Sequence, residues 1–157
     1  MAGNTENSIV IDAPVEFVFD VTNNLRIWTE MFTEYEKVEV LEEKPNWFLF
    51  RLTLKPDEDG RQMSWISQRR LIPDERRIEA ERVEPLKPFS KMHIRWFYEP
   101  DPAGTKMRWT QEFTVVPEAP FTEKDAEHHI NGNSREQMAH IKAYVEKRWA
   151  EMKGGKG

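Results

Sequence analysis

KMHIRWFYEPDPAGTKMRWTQEFTVV, residues Lys91 to Val116, holds two runs of period-two hydrophobicity on either side of a Pro- and Gly-containing break. Strand side chains alternate between two faces. Met92, Ile94, Trp96 and Tyr98 therefore share one face of the first run, and Met107, Trp109, Gln111 and Phe113 one face of the second. The break Pro100–Gly104 is turn chemistry, so Lys91–Tyr98 and Lys106–Val116 are predicted to form an antiparallel hairpin.

The same pattern extends upstream. Trp47–Lys55 places Phe48, Phe50, Leu52 and Leu54 on one face, and Pro56–Gly60 is a strong turn signal. Gln62–Leu71 and Arg77–Val83 follow, with Pro73-Asp74 between them, and Lys37–Glu42 and Thr5–Ile11 come earlier. Val15–Val21 and Ile27–Phe32 show helical spacing, and Pro14 suits the start of the former. Past Pro120, Thr122 and Asp125 resemble a capping box. Ile130, Ser134, Met138, Ile141 and Val145 then repeat at helical spacing to about Met152.

Short turns favour an antiparallel sheet, and a sheet with one apolar face needs cover. A single long helix is available to supply it. The expected class is α+β: a helix-grip, with a curved sheet of about seven strands around a long C-terminal helix and two short helices after the first strand. One domain spanning residues 1–157, with its core over about 5–152, is expected. A helix gripped by a curved sheet commonly leaves a hollow between them.

Composition narrows the functional classes. Net charge is −5 and Lys and Arg form no run, which argues against nucleic-acid binding. There is no Cys, which excludes disulfides and thiolate chemistry. Met1–Ser8 has no apolar core, and no apolar run approaches the roughly 18 residues of a membrane helix, so a cytoplasmic protein with no membrane contact is expected. His128 and His129 are neighbours on a helix and diverge by about 100°, so they cannot share an ion; His140 is too far along. No metal and no cofactor are expected. His93 groups with Lys91 and Arg95 on a solvent face, and Glu34, Glu36 and Glu42-Glu43 read as solvated surface.

The apolar faces carry polar intruders. Trp65, Ser67 and Arg69 share a face, as do Ile78, Ala80 and Arg82, and Gln111 joins Trp109. An Arg on a concave sheet face is costly unless paired or wet. Either the interior is a solvated functional site, or Arg69 pairs with an acid on the long helix. Trp28, Phe32 and Tyr35 come from the short-helix segment beside the same face. Aromatic walls suit flat, conjugated ligands.

Several motifs together carry a resemblance. They are Asn7–Pro14, Asp20-Val21-Thr22-Asn23 with Trp28 and Phe32-Thr33-Glu34-Tyr35, Trp65–Arg69, Met107–Phe113, and Asn133-Ser134-Arg135 with Met138 and Ile141. Over about residues 5–150 the chain resembles the aromatase/cyclases of type II polyketide synthases. These belong to the START-like, Bet v 1-like superfamily, and the similarity is to the single-domain tetracenomycin and spore-pigment types. The resemblance implies a helix-grip fold and a linear poly-β-ketone tethered to an acyl carrier protein. It implies first-ring aldol closure, between C9 and C14 in the tetracenomycin type and between C7 and C12 in others, and dehydration to an aromatic ring. It assigns Arg69, Tyr35 and Ser67 to catalysis. Trp28, Phe32, Met63, Trp65, Arg82, Met92, Trp96, Trp109, Gln111, Ser134 and Gln137 would contact substrate. Met63 stands where relatives tend to carry Trp, and Thr29 where they often carry Pro. The expected partners are the carrier protein and the minimal synthase, met by a monomer or weak homodimer, with Arg70, Arg76, Arg77, Lys87 and Lys91 as a local basic mouth. The rival reading is a non-catalytic carrier of a hydrophobic or aromatic small molecule.

Overall fold

A computed structural model describes residues 3–84 and 88–154. Pro85 and Lys87 lie outside the described residues. Among the described residues the order is β1 (Gly3–Ile11), α1 (Val15–Thr22), a 3-10 turn (Leu25–Ile27), α2 (Trp28–Met31), β2 (Tyr35–Lys44), β3 (Trp47–Leu54) and β4 (Ser64–Ile72). A second 3-10 turn (Pro73–Glu75), β5 (Arg77–Glu84), β6 (Phe89–Asp101), β7 (Gly104–Val115) and α3 (Glu123–Gly154) follow. The seven strands form one antiparallel sheet in the order β1-β7-β6-β5-β4-β3-β2. This is the helix-grip architecture, with α3 laid over the concave face.

The hairpin at Lys91–Val116 forms with Trp96 opposite Trp109 and Tyr98 opposite Met107. Its first strand runs on through Pro100 to Asp101, so the turn is only Pro102-Ala103. Gly104 closes it at φ +131°, and a Cβ there would lie 2.2 Å from the Ile11 carbonyl oxygen. Only Gly tolerates both the conformation and the approach. The segment expected as one helix over Ile27–Phe32 is instead a 3-10 turn followed by a single turn of α2. β4 begins at Ser64, two residues later than expected, which leaves residues 55–63 as a loop.

Thr122 and Asp125 form the capping box. The Thr122 N–H donates to Asp125 Oδ2 at 3.0 Å, and the Asp125 N–H to Thr122 Oγ1 at 3.2 Å. These bonds satisfy donors that a helix start leaves unpaired. α3 buries Ser134, Gln137, Met138, Ile141 and Val145, a stripe at three- and four-residue spacing. The main core joins this stripe to α1, α2 and the inward faces of β2–β7, and a smaller cluster gathers Met92, Phe113, Val115 and Ala126 at the start of α3. Among the described residues, no helix is long and apolar enough to cross a membrane.

Candidate functional site

Arg69 reaches the concave face because β4 alternates: its neighbours Gln68 and Arg70 line a hollow on the outer face with Glu79, Glu81, His93 and Arg95. The guanidinium is 2 % exposed. Ala80 stands opposite Arg69 on β5, and its small side chain leaves room for the fork to extend towards β6. There it sits 4.1 Å from the Trp96 ring centre and 5.1 Å from that of Trp28. Nε and Nη2 both donate to Asn23 Oδ1, at 2.9 and 2.6 Å. Asn23 is itself held by donating from Nδ2 to the Phe19 carbonyl at 2.8 Å. Tyr98, hydrogen-bonded to Thr22 Oγ1 at 2.7 Å, completes a neutral polar backing. Among the described residues no carboxylate pairs with Arg69, on the long helix or elsewhere. Burial lowers its pKa to about 10, so it remains a cation at neutral pH.

Tyr35 opens β2 and lies parallel to Trp28, with centroids 6.0 Å apart. Burial, then the neighbouring Glu34, push its phenol well above the ordinary range, so it is a donor and a poor base. Glu34 overturns its reading as solvated surface. It is half-buried, within hydrogen-bonding reach of Tyr35 and of Asn133 on α3. Burial raises its pKa, and its hydrogen bonds only partly offset that. The signal was available only in three dimensions, because nothing in Thr33-Glu34-Tyr35 shows that α3 covers one side of Glu34.

The remaining expected residues divide. Trp28, Phe32, Trp96 and Trp109 form one ring cluster, with Trp96 and Trp109 stacked at 4.3 Å and Phe32 4.9 Å from Tyr35. Ser67 is buried beside Arg69 in the chain, but two residues along a strand on the same face. Trp65 and Arg82 meet further down the sheet, the Arg82 guanidinium 4.8 Å from the Trp65 ring, and Met92 belongs to the satellite cluster. Gln111 accepts from Thr5 Oγ1 at 2.9 Å, and Ser134 is buried on the inner side of α3. Gln137 is spent structurally: its Oε1 accepts from the Thr33 N–H at 3.0 Å and its Nε2 donates to Thr33 Oγ1 at 2.8 Å. Met63 lies on the β3–β4 loop, 51 % exposed and apart from the ring cluster, because β4 starts only after it.

The rings of the cluster lie against one another, with centroids 4.3–6.5 Å apart, and gain dispersion contact. Hollows of about 190 and 480 Å³ lie elsewhere, on the outer sheet face and beside Val115–Asp125 at the β7–α3 junction. Of the basic residues expected at the mouth, Arg76 pairs with Glu16, Arg77 with Glu75 and Glu79, and Lys91 with Glu112, Arg70 is exposed on the outer sheet face, and Lys87 is outside the described residues.

Residues 11–142 match the family model described as polyketide cyclase / dehydrase and lipid transport. Over 146 residues the chain is 47% identical to a Streptomyces cyaneus protein named "Putative polyketide cyclase", covering 93% of this chain and 95% of that one. A Streptomyces halstedii protein of the same name is 46% identical over 109 residues, 69% of this chain and 99% of that one. Among solved structures, the Zhui aromatase/cyclase from Streptomyces sp. R1128 superposes with a TM-score of 0.77 at 21% identity, over 96% of this chain and 95% of that one, a likeness of fold. Sequence and fold agree: this chain belongs to the polyketide cyclase / dehydrase and lipid transport family.

Proposed function

We propose that this chain is an aromatase/cyclase that binds a linear poly-β-ketone on its concave face, closes the first ring by intramolecular aldol addition, and dehydrates it. The observation that carries the reading is Arg69, a desolvated cation with only neutral hydrogen-bond partners, set between two indole faces. Buried structural arginines are commonly paired with a carboxylate, which offsets the cost of burial. One without such a partner is suited to a developing oxyanion.

The chemistry balances without a cofactor. The Glu34 carboxylate, directly or through the Tyr35 hydroxyl, takes a proton from the methylene between two ketones. The resulting enolate carbon attacks a ketone carbon further along the chain. The carbonyl π pair becomes an alkoxide that Arg69 stabilises and Tyr35 protonates. Loss of a second proton and of that oxygen as water leaves a ring enone, and enolisation of its remaining ring ketones gives the aromatic ring. Regiochemistry, with closure between C9 and C14 as our reading, follows from which fold of the chain the rings accept. We take the substrate to arrive on an acyl carrier protein of a cytoplasmic synthase.

Adding the protein to a minimal polyketide synthase and identifying the ring pattern tests this. The native chain should redirect products to a single first-ring closure, and Arg69→Ala and Tyr35→Phe should return shunt products. An unchanged product mixture with the native chain would leave the carrier reading instead.

A further inference from the structure

Trp109 carries an orphan. Its residue is 6 % exposed, yet its Nε1–H has no hydrogen-bond acceptor among the described residues. Buried donors are overwhelmingly paired, and one left unpaired costs on the order of 1–3 kcal/mol. The neighbouring indole shows the usual outcome: Trp28 Nε1 donates to the Thr22 carbonyl at 3.0 Å. Around Trp109 the side-chain acceptors are already engaged. Asn7, its partner across β1, accepts from Arg135 and donates to Asn131. Gln111, two residues along on the same face, accepts from Thr5.

The sheet places this donor usefully. Strand order β7-β6-β5-β4 sets Trp109 and Arg69 on either side of Trp96, whose ring stacks with Trp109 at 4.3 Å and carries Arg69 at 4.1 Å. A flat ligand that parts the indoles would meet a cation at one end and a lone N–H at the other.

We propose that the Trp109 indole N–H is a ligand-recognition donor that donates its unused hydrogen bond to a ketone or enol oxygen of a flat conjugated ligand, separate from the oxygen held by Arg69. This rests on the reading that the concave face binds such ligands. Relief of the orphan then contributes to affinity, and only for ligands with an oxygen at that position. The Trp109 ring alone would accept any flat hydrocarbon.

Two probes separate the two ideas: anthraquinone-2-sulfonate and anthracene-2-sulfonate, alike in rings and anion, differing in the two carbonyl oxygens. Trp109 is replaced by its benzothiophene isostere, which keeps the shape and removes the N–H. Binding is read by calorimetry, and folding by denaturant titration. The isostere should be at least as stable as the native chain, should bind the quinone about tenfold more weakly or worse, and should bind the anthracene unchanged. With ¹⁵N-labelled tryptophan, the Trp109 indole N–H resonance of the native chain should move downfield with the quinone and not with the anthracene. Equal affinity of native and isostere for the quinone, with no such shift, overturns the donor role while leaving the ligand reading intact. Failure of both probes to bind the native chain overturns both.

Discussion

The guanidinium of Arg69 lies 4.1 Å from the centre of the Trp96 ring, and its hydrogen-bond partner is an amide oxygen on Asn23, not a carboxylate. This arrangement keeps the positive charge unneutralised. Cation–π contact with two indoles, worth up to about 2 kcal/mol when desolvated, offsets part of the burial cost without cancelling the field. A residue held this way should matter more to reactivity than to folding. Arg69→Met should change unfolding free energy by under about 2 kcal/mol, because the lost bonds to Asn23 are balanced by removal of a buried cation. Cyclisation should fall by about 10²-fold or more, the scale of an oxyanion donor. Denaturant unfolding and product quantitation together check this. A loss above about 4 kcal/mol would mark Arg69 as structural.

Ala80 permits that reach. It faces Arg69 across the β4–β5 pair, and β6 with Trp96 lies beyond it. Ala80→Leu would fill the gap that the fork crosses, at an overpacking cost of about 1–3 kcal/mol. The expected result is a folded protein with weakened cyclisation, whereas Ala80→Gly should keep most activity. Equal activity in Ala80→Leu and the native chain would show that the guanidinium does not need this passage.

The strand faces, with Arg69, Trp96 and Trp109 turned inward, were legible in the sequence because period two assigns a side to every strand residue once one face is known to be buried, and the α3 cap and the helical spacing of Trp28 and Phe32 were legible from their own signals. Met63 was named from the resemblance and not from alternation, and it lies on the loop before β4 begins at Ser64. Glu34 was misjudged as surface and the Gln137–Thr33 pair was not foreseen, because both depend on what α3 brings opposite them, a contact about a hundred residues away in the chain for Gln137 and Thr33. The 4.3 Å stack of Trp96 on Trp109 was not legible either, since alternation says which rings face inward and nothing about whether they touch.

Glu34 should set the acid side of the pH–rate profile. Its pKa is raised by burial, so the reactive carboxylate appears only above the ordinary carboxylate value of 4.5. A raised folded-state pKa also means that stability from this group is full below 4.5 and falls as pH rises through the folded value. Glu34→Gln should therefore remove the acid limb of kcat/KM, lower the rate, and slightly raise neutral-pH stability. Persistence of the same limb in Glu34→Gln assigns the base elsewhere.

Alkaline titration reads the buried phenols directly. Burial pushes Tyr98 up to about 12, with Arg69 opposing, and raises Tyr35 in the same direction. Each phenol thus contributes stability that is present below pH 10 and lost as pH rises through its folded value. Arg69 acts oppositely: lowered to about 10, it disfavours the folded state most at neutral pH, and this penalty shrinks between 10 and its unfolded 12.5. Two phenols against one guanidinium leave a net loss of stability as pH rises above 10. Of the chain's three tyrosines, two should gain phenolate absorbance only with unfolding. Tyr35→Phe and Tyr98→Phe should each remove one of them from the late transition. Reversible titration of both below the unfolding transition would mean that water reaches the ring cluster in the native state, and that the site is open before any ligand arrives.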